Sequence, residues 1–137
     1  MFKNIYTSNY ARCGENPNAA GISCSCPQWF SGPRIPSLAP AWSMVDSIKK
    51  GKMSRKQYTT KYLALLQSRG LTPELIYNNL ADGTILLCYE SPYEFCHRRI
   101  LAEWITHHTG ISIPEWKTPK ELAEEEKGKF VDSVLNF

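Results

Sequence analysis

Apolar and polar positions along the chain predict short strands early and helices in the middle. Phe2 to Thr7 alternates loosely and runs into the polar cluster Thr7, Ser8, Asn9, Tyr10, Ala11 and Arg12. This pattern predicts a first strand that delivers hydroxyls and one guanidinium to its carboxyl end. CGENPN reads as a loop and AAGISC as a second short strand, followed by CSCPQWFSGPRIPSLAP. Prolines at 27, 33, 36 and 40 forbid regular structure there, while Trp29, Phe30 and Leu38 give the stretch something to bury. An ordered flap beside Arg12 and Arg34 is expected; the plainer alternative makes it a packed connector with Trp29 in the core.

Helical spacing then takes over. Ala41 to Lys50 carries Trp42, Val45 and Ile48, with Gly51 as its stop. Ser54 and Gln57 form a capping box for a helix whose inward stripe is Tyr58, Tyr62, Leu65 and Leu66 and whose end is Gly70. Thr72 and Pro73 open a short helix through Leu80. The centre of the chain, Thr84 to His108, reads as a strand with apolar residues on both faces running into a helix. Ser91, Pro92 and Glu94 have the spacing of an N-cap, N1 and N3, so the helix is expected from Pro92 to about His108, with Cys96 and His97 in its second turn. At that depth the helix dipole acts only weakly on a thiol. Arg99 and Glu103 have the spacing of an ion pair.

Ile111 and Ile113 before Pro114 suggest a short edge strand, and Thr118, Pro119 and Glu121 start another helix, expected to break near Gly128. Phe130, Val131, Val134, Leu135 and Phe137 form an apolar tail that docks or self-associates. The sum is an α/β protein: a small single domain, 1–137, with a short mostly parallel sheet flanked by helices, a core of about 1–116 and a helical tail of about 118–137.

At 137 residues and 42% hydrophobic content the chain supports one core. A net charge of +3 excludes a polycation that coats nucleic acid. It leaves the local run Lys49, Lys50, Lys52, Arg55, Lys56 and Lys61 either as a phosphate contact or as a solvated face. Five cysteines, with no apolar signal region after Met1, fit reduced thiols and a cytoplasmic location. No apolar run approaches the roughly 20 residues of a membrane span, so no membrane partner is expected. Oligomeric state is left open.

Candidate chemistry gathers at the strand-to-helix junction. Glu90 or His97 can move a proton and Cys96 can act as a nucleophile, while Ser8, Arg12 and Arg98 can hold a small anionic or nucleotide-like ligand. Strand ends in a parallel sheet converge on one crevice, which would bring these groups together. Two alternatives stand beside this reading: a non-catalytic nucleic-acid-binding or interaction module, and a zinc protein using Cys88, Cys96 and His97. The last lacks a Cys-x-x-Cys pair, and no metal ligand set or cofactor is assigned. A purely structural account is equally concrete: Cys88 fills core, Glu90 pairs with Arg98, and His97 bonds a backbone carbonyl.

YTSNYAR, GISCSCPQWFSGPRIPSLAP and above all LLCYESPYEFCHRRILAEW together resemble the family called "domain of unknown function 488". Its members show a first strand ending near Thr-Ser and an Arg, a Gly-Ile-Ser second strand with a Pro and aromatic loop, and a Leu-Leu-Cys-x-Glu strand followed by Cys-His-Arg. The resemblance covers most of the chain up to about Trp116. It implies a small α/β domain in which Ser8, Arg12, Cys88, Glu90, Cys96, His97 and Arg98 occupy the matching segments. Cys24 and Cys26 stand where less distinctive residues are expected.

Overall fold

The computed structural model describes residues 3–91 and 94–135, with side chains described up to Gly128. Three parallel strands form one sheet: β1 (Tyr6–Asn9), β2 (Ala19–Gly21) and β3 (Ile85–Cys88), in the order β1-β3-β2. All four residues of β3 are buried, as its apolar run requires of a central parallel strand. Tyr6 pairs with Ile85 on one side of it and Ala19 pairs with Ile85 on the other.

Among the described residues there are six α-helices, five of them in the expected order; the first, Tyr10–Cys13, is unexpected and falls in the polar cluster after the first strand. They are α1 (Tyr10–Cys13), α2 (Trp42–Lys49), α3 (Arg55–Ser68), α4 (Pro73–Asn79), α5 (His97–Thr109) and α6 (Pro119–Leu135). Helices α3, α4 and α5 cover one face of the sheet, with Tyr62, Leu66, Leu86, Leu101 and Ile105 at the centre of the packing. Tyr10, Cys13, Phe30, Ile85 and Leu87 fill the smaller core on the opposite face. The result is an α/β domain.

Local signals set most of the boundaries. Both halves of the Ser54–Gln57 capping box form, Thr72 caps α4 with Pro73 at its first position, and Gly110 closes α5 with φ 75°. Other expectations are corrected. In α2 the buried residue is Met44, while Trp42 is 65% exposed. Helical spacing reports which residues share a face and not which face meets the core. Helix α6 passes through Gly128 without a break, since one glycine costs only about 1 kcal/mol relative to alanine. Backbone pairing on the β1 edge falls at Thr7 and Glu115, beyond Pro114 rather than at Ile111 and Ile113. Arg99 turns to the Thr7 hydroxyl (2.9 Å) and the Ile113 carbonyl (2.8 Å) instead of Glu103. Phe2, Pro92 and Phe137, and the side chains of Phe130, Val131, Val134 and Leu135, lie outside the described residues.

The proline-rich stretch is held at both ends. The Gly21 N–H donates to Pro33 and the Ile35 N–H donates to Gly21, which closes residues 22–34 into a loop. A short 3-10 turn, Pro36–Leu38, follows. Its carbonyls are taken up by α3: Tyr62 donates to Leu38 at 2.6 Å, and Arg69 donates to Ser37 and Ala39 at 2.9 and 2.7 Å. Phe30 and Leu38 are buried, whereas Trp29 is 55% exposed and is not the core residue of the plainer alternative. Removing the Tyr62 hydroxyl leaves a buried carbonyl unpaired. We therefore expect Tyr62→Phe to cost about 1 kcal/mol in urea unfolding and to speed proteolytic cleavage between residues 23 and 40. Unchanged stability and cleavage would show that this tie does not hold the flap.

Candidate functional site

The junction after β3 differs from its expected form. Helix α5 begins at His97, with Cys96 as its N-cap in extended backbone (φ −153°, ψ 147°). Ser91 and Glu94 do find each other: the Ser91 N–H donates to the Glu94 carboxylate and the Glu94 N–H donates to the Ser91 carbonyl, each at 3.1 Å. These bonds close a separate turn. Tertiary ties hold the flanking chain, because the Glu90 carbonyl accepts from Asn9 (3.3 Å) and Arg98 (2.7 Å) while Cys96 is joined to Cys88 by a disulfide. Several such bonds outweigh one capping box worth about 1 kcal/mol. The consequence is chemical. Cys96 lies at the positive end of α5, where the helix favours negative charge on sulfur.

Three of the expected catalytic residues meet there. Cys96 Sγ is 3.2 Å from Glu90 Oε2 and 3.8 Å from His97 Nδ1. When the sulfur is reduced, its proton is within reach of the carboxylate. His97 Nε2 lies 2.7 Å from the Ile22 carbonyl, which only accepts, so Nε2 carries the proton and Nδ1 turns a lone pair toward the sulfur. Burial pushes the His97 pKa down to about 4, the Ile22 bond opposes the change, and the Arg98 charge adds to it. The imidazole is neutral near pH 7. As the structural account expected, His97 bonds a backbone carbonyl, but that carbonyl is Ile22, so the bond ties α5 to the end of β2.

The ligand-binding residues are scattered. Arg98 is fully buried and acts as a clamp: Nε donates to Glu115 at 2.8 Å, and Nη1 donates to Cys88 Sγ at 2.8 Å and to the Glu90 carbonyl at 2.7 Å. Its Nη2 has no partner among the described residues. Ser8 is 1% exposed on the α1 face of the sheet, where its side chain meets the Cys13 thiol. Arg12 pairs with Glu121 at the start of α6, which holds that carboxyl below its usual range.

Two cavities open beside the β3–α5 turn. The larger, about 1360 Å³, is bordered by Arg12, Arg99, Trp104, Glu115, Trp116 and Glu121. The smaller, about 880 Å³, lies beyond the ends of β2 and β3, and Glu90, Cys96 and His97 open into it. Arg12 and Arg98 therefore share no cleft. We take the smaller cavity as the candidate site because the reactive groups are there. Trp42, Tyr58 and Tyr89 give it aromatic walls, and Lys49 and Arg55 supply cations. The basic run had flagged those two cations in sequence. Trp42 had been noted only for its helical spacing, and Tyr89 carried no signal.

Cys88, Cys96 and His97 are also the group best arranged for a soft cation, with donor atoms within 4.8 Å of one another. The sulfurs are bonded to each other, however, so a zinc ion would first require the reduced pair. Among the described residues, no helix is long and apolar enough to cross a membrane.

The buried His97 yields a pH prediction. Its folded-state pKa of about 4 lies below the ordinary 6.5, so the unfolded chain takes up more protons between those values. Its contribution is constant above about pH 6.5, and stability is lost as pH falls toward 4, by about 3 kcal/mol in all. Thermal unfolding at a series of pH values should show this slope in the wild type and a flatter one in His97→Gln. Identical slopes would remove His97 as the cause.

Comparison with known proteins gives a family match. A family model described as the active DUF488-N3 subclade, DUF488-N3a, covers residues 16–109. It includes β2, the flap, β3 and α5, and begins after β1. No curated protein and no solved structure matches. With Cys88, Glu90 and the Cys96-His97-Arg98 run inside the matched region, the chain belongs to the DUF488 family, in its DUF488-N3a subclade.

Proposed function

We propose that this protein is a cytoplasmic enzyme acting on a nucleotide-like anion, with Cys96 as attacking sulfur and Glu90 as its base. The observation that supports this most is the shared cavity: Glu90, Cys96 and His97 open into the same space as Trp42, Tyr58, Tyr89, Lys49 and Arg55. An aromatic wall offers a stacking face to a base, and the cations offer a grip on phosphate. Helix α5 directs its N-terminal dipole at the sulfur, and Glu90 Oε2 is 3.2 Å from it.

His97 serves this chemistry as a positioning residue. Its Nε2–H bond to Ile22 fixes the ring beside the sulfur, while Glu90 Oε2, at 3.2 Å against 3.8 Å for Nδ1, is the nearer acceptor for the thiol proton. Arg98 likewise acts from inside the protein, through Cys88 and the Glu90 carbonyl. A reducing cytoplasm suits a working thiol beside the unpaired Cys13, Cys24 and Cys26.

A second reading, non-catalytic binding of single-stranded nucleic acid, rests on the exposed Lys52 and Lys56 that continue the basic surface from Lys49 and Arg55. Titration of the reduced protein with nucleoside monophosphates and short single-stranded oligonucleotides separates the two. Tryptophan fluorescence reports binding, and product analysis reports turnover. Binding should weaken about tenfold, ~1.4 kcal/mol, for each of Lys49→Glu and Arg55→Glu. Trp42→Ala should cost about 1–3 kcal/mol of affinity. Cys96→Ser should keep binding and lose turnover. No response across the panel would reject the ligand class; turnover surviving in Cys96→Ser would reject the thiol chemistry. Salt-sensitive binding without turnover in the wild type would favour the second reading.

A further inference from the structure

We propose that Cys88 is a resolving cysteine that converts the Cys96 site into a peroxide-sensitive switch. The inference rests on the reading of Cys96 as the reactive sulfur, and adds a regulatory partner to it. Cys88 is the last residue of β3 and Cys96 caps α5, so the cross-link spans the turn that carries Glu90. Cys13, Cys24 and Cys26 remain unpaired, although Cys24 borders the same cavity. Burial raises the Cys13 thiol, which makes it a poorer competitor for an oxidant, while the exposed Cys24 donates its thiol proton to the Pro40 carbonyl at 2.9 Å.

Access and charge order the two sulfurs. Cys88 is fully buried and borders neither cavity, while Cys96 forms part of a cavity wall. A small oxidant therefore meets Cys96 first. Arg98 Nη1 is 2.8 Å from Cys88 Sγ and 3.8 Å from Cys96 Sγ, and Arg98 is the one buried Lys or Arg among the described residues. That cation stabilises a thiolate on the buried partner once the pair is reduced.

The chemistry closes with hydrogen peroxide as oxidant. The Cys96 thiolate attacks one peroxide oxygen; an S–O bond forms, the O–O bond breaks, and hydroxide leaves and is protonated to water. Sulfur is now a sulfenic acid, and peroxide has accepted two electrons. The Cys88 thiolate attacks the Cys96 sulfur; an S–S bond forms, the S–O bond breaks, and a second water leaves after protonation. A dithiol reverses the result by exchange, becoming a disulfide itself.

The switch reaches the ligand site through the backbone. The cross-link joins the last residue of β3 to the N-cap of α5, so making or releasing it changes the constraint on the chain between them. Tyr89, Glu90, Glu94 and Phe95 all border the candidate cavity, and Ser91 borders the larger one.

The test is to reduce the full-length protein, expose it to stoichiometric hydrogen peroxide, block remaining thiols with N-ethylmaleimide and map cross-linked peptides by mass spectrometry. The expected product is a Cys88–Cys96 cross-link, removed by dithiothreitol, with loss and recovery of Cys96 alkylation by iodoacetamide. Cys88→Ser and Cys88→Ala should stop at a dimedone-reactive sulfenic acid on Cys96, and Cys96→Ser should give neither product. The wild-type map decides the matter even where a variant fails to fold. A cross-link to Cys24, over-oxidation of Cys96 without a cross-link, or zinc bound by the purified reduced protein through both sulfurs would overturn the switch. These readouts need no substrate: a reversible cross-link without nucleotide binding would retain the switch and remove the ligand class. Nucleotide turnover without the cross-link would do the reverse.

Discussion

Arg98 is the interaction on which the junction depends. One guanidinium with no exposure joins Glu115 beside the β1 edge, Cys88 at the end of β3 and the Glu90 carbonyl in the following turn. Taking a cation out of water costs several kcal/mol, and only close partners in good geometry offset this. The net stability contributed by such a group is small. Its effect is specificity: several separate pieces of chain have to arrive together before the charge is satisfied. The Glu90–Cys96–His97 constellation is a by-product of that requirement, because the same bonds set where the turn leaves β3 and where α5 begins.

The remaining donor on that guanidinium makes the arrangement more informative. Nη2 has no partner among the described residues, so part of the desolvation cost stays uncompensated. A Met or Leu at this position would pack without that cost, but would leave the Glu90 carbonyl with one donor fewer and Cys88 with none of its charge. The protein thus retains an energetically awkward group in a place where it conditions a sulfur. Arg12, which sequence reasoning set beside Arg98, lies by the other cavity and instead links the first strand region to α6.

Much of the fold was legible because its signals are local. Ser54 with Gln57, Thr72 with Pro73, and Gly110 each specify a helix end through bonds among neighbours, and the all-apolar centre of β3 specifies burial on both faces. The site was legible as a cluster but not as a geometry. The start of α5 was misread because bonds from Asn9, Cys88 and Arg98 overrule the Ser91–Glu94 pair, and no local pattern encodes them. The place of Trp42 was not legible for a related reason: period alone cannot tell a face that meets the core from one that borders a cavity. Glu115, the partner of Arg98, is 17 residues away in the chain and left no trace in the sequence.

The flanks of the sheet have a consequence for the life of the protein in a crowded solution. A three-stranded sheet exposes two outer rows of backbone donors and acceptors, which can recruit a strand from another molecule. Here the outward N–H and C=O of Thr7 are taken by Pro114 and Trp116, and those of Gly21 by Pro33 and Ile35. Both rims are occupied by the chain's own proline-bearing segments, one at Thr7 within β1 and the other at Gly21, the last residue of β2. Proline cannot donate to a ladder, so those covering segments are themselves poor templates for a further strand. The prolines beside the sheet therefore guard it against edge-to-edge polymerisation, a role separate from any ligand.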